Sequence, residues 1–201
     1  MKNVLLVTSS LLGDNSTSTN LSNALLDKLS QSQEIKIQLR DLAETNLPHL
    51  TQVEMGAWAT PAEERSQEQA NLAAVSDGLI DELKQADAII FAVPMYNFGI
   101  PSSLKAYFDR VARAGVTFKY TEQGSVGLLE SKPVAVVCAR GGFYQGTDAD
   151  SQTPYLKSML GFIGYNQLSF VFAEGLATPE RDNGLAKAQE QIENLSKTLL
   201  A

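Results

Sequence analysis

Short apolar runs alternate with helix-period stretches from one end of this chain to the other, and no other feature restricts its fold as much. The strand candidates are 3-NVLLVTS-9, 34-EIKIQLR-40, 87-DAIIFAV-93, 133-PVAVVCA-139 and 168-LSFVFAE-174. Several are nearly continuous aliphatic or β-branched runs, as expected of strands covered on both faces. Between them the spacing predicts helices near 18–32, 66–85, 102–113, 153–163 and 180–200. Leu21, Leu25, Leu26 and Leu29 fall on one helical stripe. Ser102, directly after Pro101, is expected to cap the third of these helices. Strand then helix, repeated, implies an α/β fold of parallel strands joined by right-handed crossovers. No repeat, low-complexity segment or linker divides the 201 residues, so one domain over 1–201 is expected.

Composition removes several function classes. Hydrophobic residues make up 44% and charged residues 19%, ordinary for a globular chain and unlike a disordered one. A net charge of −7 opposes nucleic-acid and anionic-membrane partners. The single cysteine, Cys138, precludes an internal disulfide framework and suits a reducing cytosol. The opening MKNVLLVTSS is too short in apolar length for a signal peptide or a membrane span. A soluble, acidic, cytoplasmic protein is the expectation.

In an open α/β sheet, ligands sit beyond the carboxyl ends of the strands. The loop after the first strand reads 9-SSLLGDNSTSTNLS-22. Hydroxyls and backbone N–H groups at a helix N-terminus suit an anion, because the helix dipole favours negative charge there. Ser16, Thr17, Ser18 and Thr19 place four hydroxyls at that point. The G-x-G-x-x-G dinucleotide turn and the G-K-[ST] P-loop are absent, and the loop carries no lysine or arginine. Those absences favour one terminal monophosphate over a pyrophosphate or a triphosphate with magnesium. A well-capped, solvated Ser/Thr turn is the plain alternative.

The loop after the third strand is 94-PMYNFG-99, bracketed by prolines at 94 and 101. Large aromatics at a loop tip are costly to leave in water, so a cover is expected. Asn97 carries both donor and acceptor, and Tyr96 and Phe98 carry flat apolar faces, a set that fits a planar hydrogen-bonding ring. After the fourth strand, 139-ARGGF-143 places Gly141 and Gly142 where backbone can approach such a ring closely. A monophosphate loop beside two ring-edge loops describes a flavin mononucleotide (FMN) site. Two long connections, 41–66 and 114–132, are expected to be covers or partner surfaces.

These residues make a resemblance specific. The chain resembles the FMN-dependent NADH-azoreductases, flavodoxin-like quinone and azo-compound reductases of bacteria. The resemblance rests on Ser10 with Ser16-Thr17-Ser18, PMYNF at 94–98, ARAGVTFKYTEQG at 112–124 and RGG at 140–142. TPYLKSMLGFIG at 153–164 and FVFAEG at 170–175 extend it over essentially the whole chain. It implies a flavodoxin-like three-layer sandwich: a five-stranded parallel sheet in the order 2-1-3-4-5 with helices on both faces. It implies FMN contacts at Ser10, Ser16, Thr17, Ser18, Met95, Tyr96, Asn97, Phe98, Ala139, Arg140, Gly141 and Gly142. Ala139 stands where the family commonly has serine, which removes one side-chain hydrogen bond. The resemblance further implies NADH, or NADPH, as donor and quinones or azo compounds as acceptors in a two-step exchange. It also implies a homodimer whose pocket is closed by the neighbouring chain, with Phe162 over the partner's flavin. Asn97, Tyr120 and Phe162 are the expected substrate pocket.

The remaining reactive residues offer little. His49 is the only histidine, which leaves no material for a hydrolase triad or a histidine metal site and marks a surface-loop residue. Cys138 lies inside an apolar strand and is a poor thiolate. Asp41 ends the second strand, where a dinucleotide fold places its ribose ligand, but without the glycine fingerprint that reading is set aside. No metal and no catalytic acid or nucleophile is expected, because the flavin carries the chemistry. A flavodoxin-type electron carrier is the rival, disfavoured by the two long connections. A response-regulator domain would need an acidic pair after strand one and an aspartate ending strand three, and the chain has Ser9-Ser10 and Val93-Pro94.

Overall fold

The computed structural model describes residues 1–200. Its elements run β1 (Lys2–Thr8), α1 (Thr17–Ser32), β2 (Ile35–Asp41), α2 (Gln52–Ala59), α3 (Gln67–Gln85), β3 (Ala88–Pro94) and α4 (Ser102–Val111). Then come β4 (Phe118–Thr121), β5 (Gly124–Gly127), β6 (Pro133–Ala139), α5 (Gln152–Ile163), β7 (Gln167–Ala173) and α6 (Arg181–Ser196). Five strands form one sheet in the order β2-β1-β3-β6-β7, every neighbouring pair parallel. Numbered among themselves, these strands stand 2-1-3-4-5, as expected of a flavodoxin-like sandwich.

Period-two alternation divides the core between two layers. Leu5, Val7, Ile89, Phe91, Val93, Val134 and Val136 face α3, α4 and α5 and meet Leu79, Leu83, Leu104, Phe108 and Leu156. Their neighbours Val4, Leu6, Ile90, Ala92, Ala135 and Val137 face α1 and α6 and meet Leu21, Leu25, Leu29 and Ile192. β3 lies mid-sheet and is buried along its whole length, which is why its sequence is a continuous apolar run rather than an alternating one.

Three local expectations need correction. The 41–66 connection is not a plain loop. It contains α2, opened by a capping box in which Thr51 accepts the Glu54 N–H and Glu54 accepts the Thr51 N–H. The 114–132 connection contains an antiparallel hairpin, β4 with β5, and Gly124 takes a left-handed φ of 119° at its turn. Ser102 does not cap α4: Pro101 occupies the cap position, with no side-chain capping bond, and Ser102 is already helical. Proline's fixed φ suits entry to a helix, so the serine hydroxyl is not needed there.

Candidate functional site

The loops after β1, β3 and β6 emerge side by side because those strands are neighbours, and hydrogen bonds knit them together. The Tyr96 hydroxyl accepts the Leu11 N–H at 3.1 Å and lies 3.3 Å from Ser10 Oγ, joining the first loop to the second. The Met95 N–H donates to the Ala139 carbonyl at 2.9 Å, joining the second to the third. Gln152, fully buried at the start of α5, donates to the carbonyls of Pro94 (3.1 Å) and Gly99 (3.3 Å). Ser151 Oγ donates to the Phe98 carbonyl. The aromatic tip is thus held from below by one amide and one hydroxyl.

At the start of α1, Ser16 is the N-cap: its Oγ accepts the Thr19 N–H at 3.2 Å and lies 3.2 Å from Ser18 Oγ. Ser16 and Ser18 are buried. Among the described residues, the Thr17 and Ser18 N–H groups donate to no protein acceptor. Two free N–H groups beside a helix dipole and two hydroxyls make an anion cradle that needs no lysine. The chain's residues therefore fit the terminal phosphate of FMN.

The second loop is tighter than its sequence announces. Tyr96 and Gly99 exchange both backbone hydrogen bonds, at 3.1 and 2.9 Å, around the two-residue turn Asn97-Phe98. Both turn residues are left-handed, with φ of 49° and 66°, the geometry of a type I′ turn. Asparagine tolerates that conformation; phenylalanine does not, at a cost of about 1–3 kcal/mol. Strain of this kind persists where the surroundings enforce it. Here it holds the Asn97 and Phe98 N–H groups out of any hydrogen bond among the described residues and leaves the Phe98 ring 57% exposed, edge-on to Tyr144 at 5.8 Å.

The third loop adds two more free donors. The Gly141 and Gly142 N–H groups bond no described protein atom, although their carbonyls accept from Ala177 and Gly175. A Cβ at Gly142 would also stand 3.1 Å from the Tyr144 hydroxyl, so the fold itself favours glycine there. Arg140 offers the candidate site only its backbone. Its guanidinium is 1% exposed and donates to Gln152 (3.0 Å), Asp150 (3.2 Å), Glu174 (3.1 Å) and Thr153 (2.7 Å), with its carbon 4.7 Å from the Phe172 ring centre. Glu174 also accepts the Tyr144 and Gln145 N–H groups, so this one cluster braces the turn after β6. Burial alone would raise Asp150, but the Thr153 N–H and hydroxyl and the Arg140 charge outweigh it and hold the carboxyl below its usual range. Burial pushes Cys138 up to about 12, as its apolar strand implied.

The expected substrate pocket is not assembled within one chain. Phe162 packs on Phe118 (ring centres 4.1 Å apart), and Tyr120, 75% exposed, meets the other side of Phe118 at 5.4 Å. This group lies by the last turn of α5, whereas Gln152, which supports the Asn97 turn, opens the same helix. Ten residues of helix separate Phe162 from Gln152 by about 15 Å along the axis, and neither Tyr120 nor Phe162 lines the cavity beside Asn97. Beside Asn97 the chain instead opens a cavity of about 640 Å³ lined by Tyr96, Tyr155, Lys105 and exposed His49. The covering segment is bolted down in part by Arg110 and Glu54, which the sequence did not single out. Buried Arg110 donates to the Pro48 carbonyl (2.6 Å) and Glu54 (2.7 Å), and the Arg113 guanidinium lies 5.3 Å over Trp58. The T-x-x-E box at 51–54 was the one legible sign of this arrangement.

Comparison with known proteins agrees with this geometry. Residues 2–195 match the family described as having a flavodoxin-like fold. An FMN-dependent NADH:quinone oxidoreductase of Alteromonas mediterranea is 53% identical over 98% of this chain and 100% of its own. Another of that name, from Cellvibrio japonicus, is 47% identical over 96% of this chain and 98% of its own. The crystal structure of an FMN-dependent NADH-azoreductase from Bacillus anthracis, in complex with FMN, superposes with a TM-score of 0.89 at 27% identity, covering 100% of both chains. With the sheet order already in place and these relatives matched over nearly the whole chain, this chain belongs to the flavodoxin-like family of FMN-dependent NADH:quinone oxidoreductases.

Proposed function

We propose that this chain binds one FMN across the three loops and uses NADH to reduce quinones and to cleave aromatic azo compounds. The observation that carries the reading is the row of unpaired backbone donors along adjacent loops. Thr17 and Ser18 N–H suit the phosphate, while those of Asn97, Phe98, Gly141 and Gly142 suit the polar edge of a flat ring. When bound, FMN supplies hydride and two-electron chemistry. The chain's own part is to fix the ring by these donors, to tune it through the Asn97 amide, and to keep one face open beside exposed Phe98. Donor and acceptor each need that face, so they bind in turn, which gives ping-pong kinetics with parallel double-reciprocal lines.

The exposed apolar side chains around the site, Leu11, Leu12, Phe98 and Phe143, with Tyr120 on the hairpin, support a homodimer. A second copy would bring Tyr120 and Phe162 to the Asn97 turn, whose cavity neither of them lines within one chain. Anaerobic NADH added without acceptor should bleach the yellow protein, and a quinone should restore its colour with no partner protein present. The released cofactor should be FMN and not FAD. Failure of NADH to bleach overturns the reductase reading, and quinone turnover that requires a protein partner would favour an electron carrier. Sedimentation at low micromolar concentration tests the assembly, and a fully active monomer excludes the shared pocket.

A further inference from the structure

The face of the sheet toward α1 and α6 is incomplete. β2 is the edge strand beside β1, in register Val4↔Ile37, Leu6↔Leu39 and Thr8↔Asp41. No helix covers the β2 side chains on this face, so Ile37 and Leu39 are 48% and 59% exposed. Between them and α1 runs a cavity of about 330 Å³, within the size range of small-molecule sites. Leu6, Leu26, Ile37 and Leu39 give it an apolar floor, Asn20 and Asn23 of α1 line one wall, and Thr8 and Asp41 stand at the carboxyl edge of the sheet, where Ser10 and Thr19 of the segment after β1 continue the lining. Thr8 is 3% exposed, and its Oγ1 has no hydrogen-bond partner. A buried hydroxyl left unpaired costs free energy unless something else completes it.

We propose that this groove binds a ribonucleoside, with a purine ring on the Ile37–Leu39 floor and the ribose diol at Asp41 and Thr8. The reasoning is chemical. A flat ring needs an apolar floor, and its polar edge needs donors and acceptors, which the Asn20 and Asn23 amides supply. A carboxylate at the end of the second strand is well placed to accept both hydroxyls of a ribose diol, the arrangement dinucleotide folds use. Asp41 Oδ1 already accepts the Ala43 N–H at 2.9 Å, which fixes the carboxylate's orientation and leaves its second oxygen for the diol. No lysine or arginine lines the groove, and Asp14 stands at its rim, so a phosphate on the ribose is repelled. The ligand is therefore unphosphorylated at its diol. The glycine fingerprint missing after β1 is the signature of a bound pyrophosphate, and a nucleoside group does not require it.

Two sources share this chemistry: free adenosine, and the adenosine end of NADH. Only the second rests on the proposed function. The test is calorimetric titration of the FMN-loaded protein with adenosine and with 2′-deoxyadenosine, on wild type, Asp41→Asn and Leu39→Lys. Asparagine retains the Ala43 bond, and position 39 is exposed, so both variants should fold and keep FMN. Adenosine should saturate the wild type. The deoxy compound and the Asp41→Asn variant should each bind about tenfold or more weakly, the size of one lost charged hydrogen bond. Leu39→Lys should lose binding. Adenosine that raises the KM for NADH assigns the groove to the donor; an unchanged KM assigns it to the free nucleoside. Absence of saturable adenosine binding, or equal binding of the deoxy compound, overturns the proposal, while bleaching of the same sample by NADH still reports separately on the reductase reading.

Discussion

Replacing Arg140 by methionine tests whether the flavin-edge loop is held by the buried ion cluster beneath it. Methionine keeps a long apolar stem over Phe172 and removes the guanidinium that serves Gln152, Asp150, Glu174 and Thr153. Two carboxylates, with side chains 7% and 13% exposed, then face each other without a cation. Removing one partner of a buried pair costs about 3–5 kcal/mol. The low end, about 3 kcal/mol, is expected here because both carboxylates keep backbone donors: Thr153 N–H for Asp150, and the N–H groups of Tyr144 and Gln145 for Glu174. For a chain of this size that loss lowers the melting midpoint by about 10 °C. Melting is followed at one protein concentration, with and without FMN, because ligand and association both shift the midpoint. Adding Asp150→Asn and Glu174→Gln to Arg140→Met should recover part of the loss, since the unpaired charges go with it. FMN affinity should fall in the single variant, because Gly141 and Gly142 follow Arg140 directly. An unchanged midpoint refutes the bracing role; a lowered midpoint with wild-type FMN affinity refutes its link to the flavin loop.

Asn97→Gly should leave the apo-protein as stable as wild type, and Asn97→Ala should cost about 1 kcal/mol, because alanine resists the left-handed φ of 49° that glycine accepts. Both should alter turnover, so activity lost by alanine but retained by glycine would make the effect one of backbone alone. Cys138, buried with its thiol pushed up to about 12, should resist iodoacetamide at pH 8 and react fully in denaturant; labelling of the native protein would contradict its burial. Asp150 has a lowered pKa in the fold, so its contribution is present above the unfolded carboxyl value, about 3.9, and is lost as pH falls through the folded value. Asp150→Asn should flatten the acid limb of stability in that window, and an unchanged acid limb would show that the carboxyl is not linked to folding.

The sequence alone determined the class of fold and pointed to three candidate loops at the carboxyl edge of the sheet. Continuous apolar runs at 87–93 and 133–139 belong to strands covered on both sides, and alternation with helical stripes leaves parallel crossovers as the economical arrangement. Both signals are local, carried by the residues that form them. The hydroxyls at 16–18, the aromatic tip at 95–98 and the glycines at 141–142 were legible as a candidate site, because each residue type carries its own contact chemistry. Tertiary structure decided the rest. The left-handed Asn97-Phe98 turn is enforced by bonds from Ser151 and Gln152, more than fifty residues away in the chain. The Arg140 side chain acts as a brace because four partners reach it only after β6, α5 and β7 have packed. Phe162 stands about 15 Å along α5 from Gln152, the residue that supports the Asn97 turn, because ten helical residues separate them. The groove beside β2 has no sequence signature, since it arises from what α1 leaves uncovered. Local pattern reports what a segment can become, and only long-range packing decides which of its faces remain free.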